Sequence, residues 1–385
     1  MMDNKDMDWL RSKSNTLKFH FSHMELDASK YIQTKRIELG QQVLALHRIY
    51  LDTKQWIQMR DAAIGRPRNE IQSNIFDHLK SLRKSGTIIC PVSYSVFVEL
   101  MNQSDEQTRL ATARVIDELA GGCCILPPHV LTEREILYFL LQHGVNGRIQ
   151  IAPTPAVVWT KIPFVFGEFV PQSSALKPEV MGAIRRSMDD LLCDLTVEEF
   201  VSQLGTRTWG IKAVESNFLA EISQGKRDHA NDHSSFHQLL CSEVAGILDA
   251  HRNMLEHVMI FCAEMNGVTA GVSDAERESG GKMLADLIYS AFKHKKVKDQ
   301  LPQIHIGASL HAALRWDKNR KYEFNDFEDI RHASVALPYF DVFCTERGLC
   351  HQIRQKLLKL DEVYSTKVIS GDDEFLAHLD LLMGA

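Results

Sequence analysis

Short apolar runs that pass straight into helical segments, with an aspartate at the first such junction, occur near both ends of this chain and are missing from the long stretch between. Alternation of this kind calls for a parallel sheet covered by helices on both faces, with ligands gathered beyond the carboxyl ends of the strands. Arg48-Ile-Tyr-Leu-Asp-Thr reads as the first strand and Lys54 to Ala63 as its helix, ended by Gly65-Arg-Pro-Arg. A helix around Asn69 to Ser85 leads through Gly86 to a second strand, Thr87-Ile-Ile-Cys-Pro-Val, followed by a helix from Tyr94 to Met101. The amphipathic stretch Asp105 to Leu119 then precedes a third apolar run, Cys123-Cys-Ile-Leu-Pro-Pro. Helical periodicity dominates from about 130 to 300, in Pro178 to Leu204, Ile211 to Ile222, Asp228 to Met265 and Asp274 to Val297. Strands return at Tyr339 to Thr345 and Thr366 to Ser370, among helices Ile306 to Trp316, Phe327 to Leu337, Leu349 to Leu360 and Asp373 to Leu382. The expected architecture is an α/β parallel sheet flanked by helices, residues 46–130 and 301–385, with a large all-α insertion at 131–300. Residues 1–45 form an N-terminal extension with one weak alternating piece, Leu17-Lys-Phe-His-Phe-Ser, suited to an added edge strand.

The 385 residues, 44% hydrophobic, exclude disorder and a small disulfide scaffold. Eight cysteines without a CxxC pair write neither a zinc ribbon nor a disulfide framework and suit a reducing cytosol. The start, MMDNKDMDWLRSKSN, lacks the apolar run of a signal peptide, and the most apolar stretch, Val157 to Val170, is broken by Lys161, Pro163 and Glu168. No membrane role is expected. With 44 Lys+Arg against 50 Asp+Glu the net charge is −6, so a polyanion would have to be held by a local basic patch.

The acidic residues at strand ends carry the functional signal. Asp52 closes the first strand, where it either faces a cleft or caps the next helix. Glu99 stands in the otherwise apolar turn Ser95-Val-Phe-Val-Glu-Leu, as a partly buried carboxylate or as the partner of Arg109 or Arg114. Asn325-Asp-Phe-Glu-Asp-Ile-Arg-His-Ala opens a helix with Asn325 and Glu328 spaced as a capping box, which puts Asp329 in the first turn, with Asp326 available for capping. That helix should stop before Pro338, and Asp341 and Thr345 share one face of the strand after it. Carboxylates gathered without Cys or His ligands suit Mg²⁺ or Mn²⁺ rather than zinc.

This order of motifs resembles the PIN-like nuclease superfamily, carried by Tyr50-Leu-Asp-Thr, Pro91-Val-Ser-Tyr-Ser-Val-Phe-Val-Glu-Leu, Asp329-Ile-Arg-His-Ala and Pro338-Tyr-Phe-Asp-Val-Phe-Cys-Thr-Glu. The resemblance covers residues 46 to 130 and 300 to 385 and implies metal-dependent phosphodiester hydrolysis, with RNA the more usual substrate and DNA the alternative. It places Asp52, Glu99 and Asp329 on the metal and leaves Asp341, Glu346 and Asp326 competing for the last position. The departure is at that position, where Glu346 and Arg347 stand in place of the usual aspartate after the threonine. Asp341, four residues before Thr345, lies about 13 Å back along an extended strand. His332, one turn from Asp329, is a candidate phosphate contact or proton shuttle. An uncontrolled nuclease endangers its host, so restraint is expected from an inhibitory or activating partner, from homo-oligomer assembly or from a signal, in a toxin or antiphage-defence setting. The alternative is a catalytically inactive PIN-like interaction protein that recruits partners through its helices.

Two basic runs offer nucleic-acid contacts: Lys293-His-Lys-Lys-Val-Lys298, and Arg315, Lys318, Arg320 and Lys321 flanked by Trp316 and Tyr322. Arg66 and Arg68 are weaker candidates. His229, His233, His237 and Cys241 recur every four residues in an expected helix, so neighbours in the series could clamp a transition metal, although a drift of about 40° per step keeps all four from one ion; a polar helix face or a contact with another subunit is the alternative. Cys123 and Cys124 read as small core residues, and Trp159 to Val170 as a docking loop, a lid or a buried irregular segment.

Overall fold

The computed structural model describes residues 15–143, 153–167, 170–204, 212–229, 232–268, 271–295, 297 and 300–384. The chain is mostly helical around a small parallel sheet of β1 (His47–Leu51), β2 (Ile88–Ile89), β5 (Val342–Cys344) and β6 (Lys367–Ile369), in the order β2-β1-β5-β6. In β1, Ile49, Tyr50 and Leu51 are almost completely buried, as a strand covered on both faces requires. Tyr50 pairs with Phe343 and Leu51 with Cys344, so β1 and β5 end level with each other. The order reverses between these two strands, which opens a crevice beyond their carboxyl ends.

Helices cover the sheet because their apolar positions recur at helical spacing. Glu70–Lys84 buries Ile75, Phe76, Leu79 and Leu82, each contributing roughly 1.5–3 kcal/mol, and is capped by Asn69, which accepts from the Gln72 amide at 3.0 Å. The third apolar run becomes β3 (Cys123–Ile125), joined to the parallel sheet by a bridge from Cys124 to Val92. Its other edge pairs antiparallel with β4 (Trp159–Lys161).

That strand changes the expected organisation. The 131–300 segment is not wholly helical, because Val158, Trp159, Ile162, Val165, Val197 and Val201 pack into the core around the sheet. A second core does lie within the helical part, built on residues such as Phe139, Leu248, Leu255, Ile288 and Phe292. The helix Pro302–Trp316 serves both cores: Ile306, Leu310 and Leu314 join the first, and Ile304 and Ala308, half a turn away, join the second. Residues 17–22 are helical rather than an edge strand. Leu17, Phe19 and Phe21 stay exposed, and the buried contact is His20, which bonds Asp190 at 2.9 Å. Asp190 also accepts from Tyr31 and Lys35, and the fully buried Arg186 binds the carbonyls of His20 and His23, so the N-terminal segment is fastened to the helix Pro178–Cys193.

The helix bearing Asp329 runs from Phe324 to Tyr339, through Pro338 rather than stopping before it. A proline removes the bond to the carbonyl four residues back, here Ser334. That carbonyl accepts instead from the Gln303 side chain, so the helix continues with its backbone satisfied. Its last turn is held by Glu135, which accepts from the Tyr339 hydroxyl at 2.6 Å and the Gln303 amide at 2.9 Å.

Burial pushes the Glu135 carboxyl up to about 8, against the hydrogen bonds from Tyr339 and Gln303. A carboxyl whose folded value exceeds its unfolded one contributes fully below the unfolded value and loses that contribution as pH rises through the folded one. Stability should therefore fall between about pH 4.5 and pH 8, on the order of 1–4 kcal/mol, and Glu135→Gln should flatten that slope. Urea unfolding across this range checks it; an unchanged slope in the variant would place the charge elsewhere.

Candidate active site

The crevice at the carboxyl edge of the sheet is a cleft of about 920 Å³. Four chain segments bring acidic residues to it: Asp52 after β1, Glu99 on the helix Tyr94–Met101, Glu328 and Asp329 on Phe324–Tyr339, and Glu346 after β5. Lys54, His129, His251, Arg331 and His332 are its basic neighbours.

Asp52 has both of the roles open to it. Its Oδ1 accepts from the amides of Lys54 at 2.9 Å and Gln55 at 3.3 Å, capping the helix Thr53–Ala63, while its side chain lines the cleft. Burial pushes its carboxyl up to about 6, opposed by His332, the helix amides and the Thr345 hydroxyl. Glu99 is half-buried and accepts from the Thr53 hydroxyl and, at 3.2 Å, from His332 Nε2. Burial would raise its carboxyl, but the bonds from His332 and Thr53 hold it below the usual range.

His332 is buried at the centre. Its Nδ1 lies 2.6 Å from the Tyr50 hydroxyl, which in turn lies 2.8 Å from Ser93 Oγ, and Ser93 caps the helix that carries Glu99. Burial opposes a charge on this ring, yet Glu99, Asp52 and Glu328 together raise its pKa. One donor atom from each of Glu99, Glu328 and His332 falls within 4.8 Å of the others, a spacing that can hold a metal ion. Glu328 was expected to cap its helix with Asn325. The helix begins earlier, with Glu323 and Asp326 forming the capping box, which frees Glu328 and Asn325 to face the cleft. Glu328 and His332 are four residues apart, the spacing that places two side chains on one helix face.

Asp329 also lines the cleft, and among the described residues nothing donates a hydrogen bond to it. Its carboxyl is pushed up to about 6, first by burial and then by Asp326, Asp52 and Glu346, with His332 opposing. Glu346 is exposed at the rim, 3.6 Å from Lys54.

Asp341 and Asp326 do not line this cleft. Asp341 lies at the amino end of β5, where it takes Arg48 Nε at 2.9 Å, Arg48 Nη2 at 2.6 Å and the Arg48 amide at 2.8 Å. Asp326 is buried and engaged by the Glu323 amide and Arg320. The basic residues from 315 to 321 do not line it either: Arg315 pairs with Glu243 and Arg320 with Asp326. Lys318 and Lys321 are exposed away from it. Of the run from Lys293, Lys296 and Lys298 lie outside the described residues. The His229 to Cys241 series is not one helix, since a helix ends at Asp228 and the next begins at Phe236. His229 pairs with Asp232, and His237 with the Lys293 carbonyl.

Comparison with protein-family models, curated proteins and solved structures finds no significant match. No helix among the described residues is long and apolar enough to cross a membrane.

Because Asp52 has a folded pKa near 6 against an ordinary 3.8, its ionisation works against folding as pH rises through 6, by on the order of 1–3 kcal/mol. Asparagine keeps the capping oxygen and removes the charge. In EDTA, Asp52→Asn should melt above wild type at pH 7.5, and the gap should close near pH 4; calorimetric scans at both values decide, and a lower-melting variant at pH 7.5 would contradict this assignment.

Proposed function

We propose that this chain is a metal-dependent nuclease with a PIN-like core, hydrolysing phosphodiester bonds in the cleft, with RNA as the expected substrate and DNA as the alternative. The observation that carries the reading is the convergence of Asp52, Glu99, Glu328, Asp329, Glu346 and His332 at the switch point of a parallel sheet. Glu99, Glu328 and His332 would hold the cation, and a donor set of two carboxylates and an imidazole suits Mn²⁺ at least as well as Mg²⁺. A cation there supplies a Lewis acid that offsets charge on the phosphate.

The chain's own groups account for the rest. Asp329, with no donor among the described residues and its carboxyl near 6, is suited to take the proton of an attacking water. Lys54 and Arg331 stand at the rim to bind phosphate oxygens, in place of the 315–321 run. Tyr50 and Ser93 fix the His332 ring and keep Nε2 turned toward Glu99. An activity of this kind would damage the host's own nucleic acid, so the proposal includes a restraining partner and a toxin or antiphage-defence setting.

Labelled single-stranded RNA, tRNA, and single- and double-stranded DNA, each with Mg²⁺, Mn²⁺ or EDTA, test the reading. Cleavage should need the metal and fall at least about 100-fold in Asp329→Asn and Glu99→Gln. Asp341→Asn, at the other end of the sheet, should keep its rate per folded molecule. Failure of wild type to cleave any substrate with either metal would sink the enzyme and leave the inactive, partner-recruiting protein.

A further inference from the structure

A second concavity, about 280 Å³ in volume, lies where the helix Pro302–Trp316 ends, just below the roughly 300–1,000 Å³ typical of ligand sites. Lys226, Arg315 and Lys318 line it together with His229 and His233. Trp316 and Leu239 complete the wall, and among the described residues no carboxylate lines it, while Glu243 and Asp232 stand behind Arg315 and His229.

Two of the three cations are held in place, and Lys318 is exposed beside them. Arg315 is anchored by Glu243. Lys226 is buried and donates to the carbonyls of Leu314 at 2.6 Å and Asp317 at 2.7 Å, and to that of Arg320. It thereby ties off the helix end and cancels the negative pole that would otherwise repel an anion. Its charge meets carbonyl oxygens, not a carboxylate. Burial depresses its pKa, with Asp317 and Asp326 opposing and Arg320 and Arg315 adding to the shift. Trp316 is 43% exposed, with Phe236 against it edge-on at a centroid distance of 6.0 Å. An exposed indole beside cations provides the stacking surface and the phosphate contact that a nucleotide needs.

We propose that this concavity binds a nucleotide, its phosphate among Arg315, Lys318 and His233 and its base against Trp316. The nucleotide is either a free mononucleotide or one unit of a single strand, and the site does not require the cleft to be catalytic.

The full chain in EDTA is titrated with inorganic phosphate, AMP and a six-nucleotide oligoadenylate RNA, followed by calorimetry. AMP or the oligonucleotide should bind at least about tenfold more tightly than phosphate, and Trp316→Ala and Lys318→Glu, both at exposed positions, should each weaken binding about tenfold. Asp329→Asn should leave it unchanged, which separates this site from the cleft. Tighter binding of the oligonucleotide than of AMP identifies a strand, and equal binding identifies a free nucleotide; both support the site. Phosphate binding as tightly as AMP, no binding at all, or nucleotide binding that both surface variants retain would overturn it.

Discussion

The interaction on which the rest depends is the mutual repulsion of carboxylates held around one buried imidazole. Asp52, Glu99, Glu328 and Asp329 share a half-buried cleft, and His332, the buried cation candidate among them, pulls the carboxyl pKa of all four downward. The histidine compensates Asp52, Glu99 and Asp329, and Arg331 adds to it at Glu328. A fold that concentrates like charge at the end of a sheet gives up stability there, a cost that is characteristic of binding and catalytic sites.

The scaffold meets that repulsion with fixed positions. The Tyr50 hydroxyl joins the ring of His332 to Ser93, so strand β1, the helix carrying Glu99 and the helix carrying Asp329 are hydrogen-bonded at one point. Gln303 and Glu135 satisfy the far end of the Asp329 helix, where Pro338 would otherwise leave a carbonyl open. Because Gln303 belongs to the helix shared by both cores, the helical part also helps to set the height of that helix over the sheet.

Much of this was legible in the sequence where local rules apply. The four parallel strands are short apolar runs, and Asp52 and Asp329 sit at junctions where a charge needs a purpose. Non-local choices were not legible. Glu328 looked like a cap because Asn325 stands three residues before it, but tertiary packing started the helix earlier and gave the capping to Glu323 and Asp326. Trp159 to Lys161 is too short to signal a strand without β3 beside it. Arg315 and Arg320 read as a basic patch because their acidic partners, Glu243 and Asp326, are chosen by the fold. Pro338 read as a stop because the rescue of Ser334 comes from a side chain on another helix.

The central strand β1 draws its two neighbours from very different distances along the chain: β2 follows closely, while β5 comes from the far end, where Arg48 is clamped to Asp341, 293 residues later. Pairings of such span are slow to form, because loop closure must precede any reward from contact. Asp329 and Glu346 come from the late segment and Asp52 and Glu99 from the early one, so the acidic cluster is absent from any partly folded chain in which β5 has not docked. Most of the electrostatic opposition therefore arises when the late segment docks on the early one, so the last step of assembly is also the one that crowds the carboxylates together.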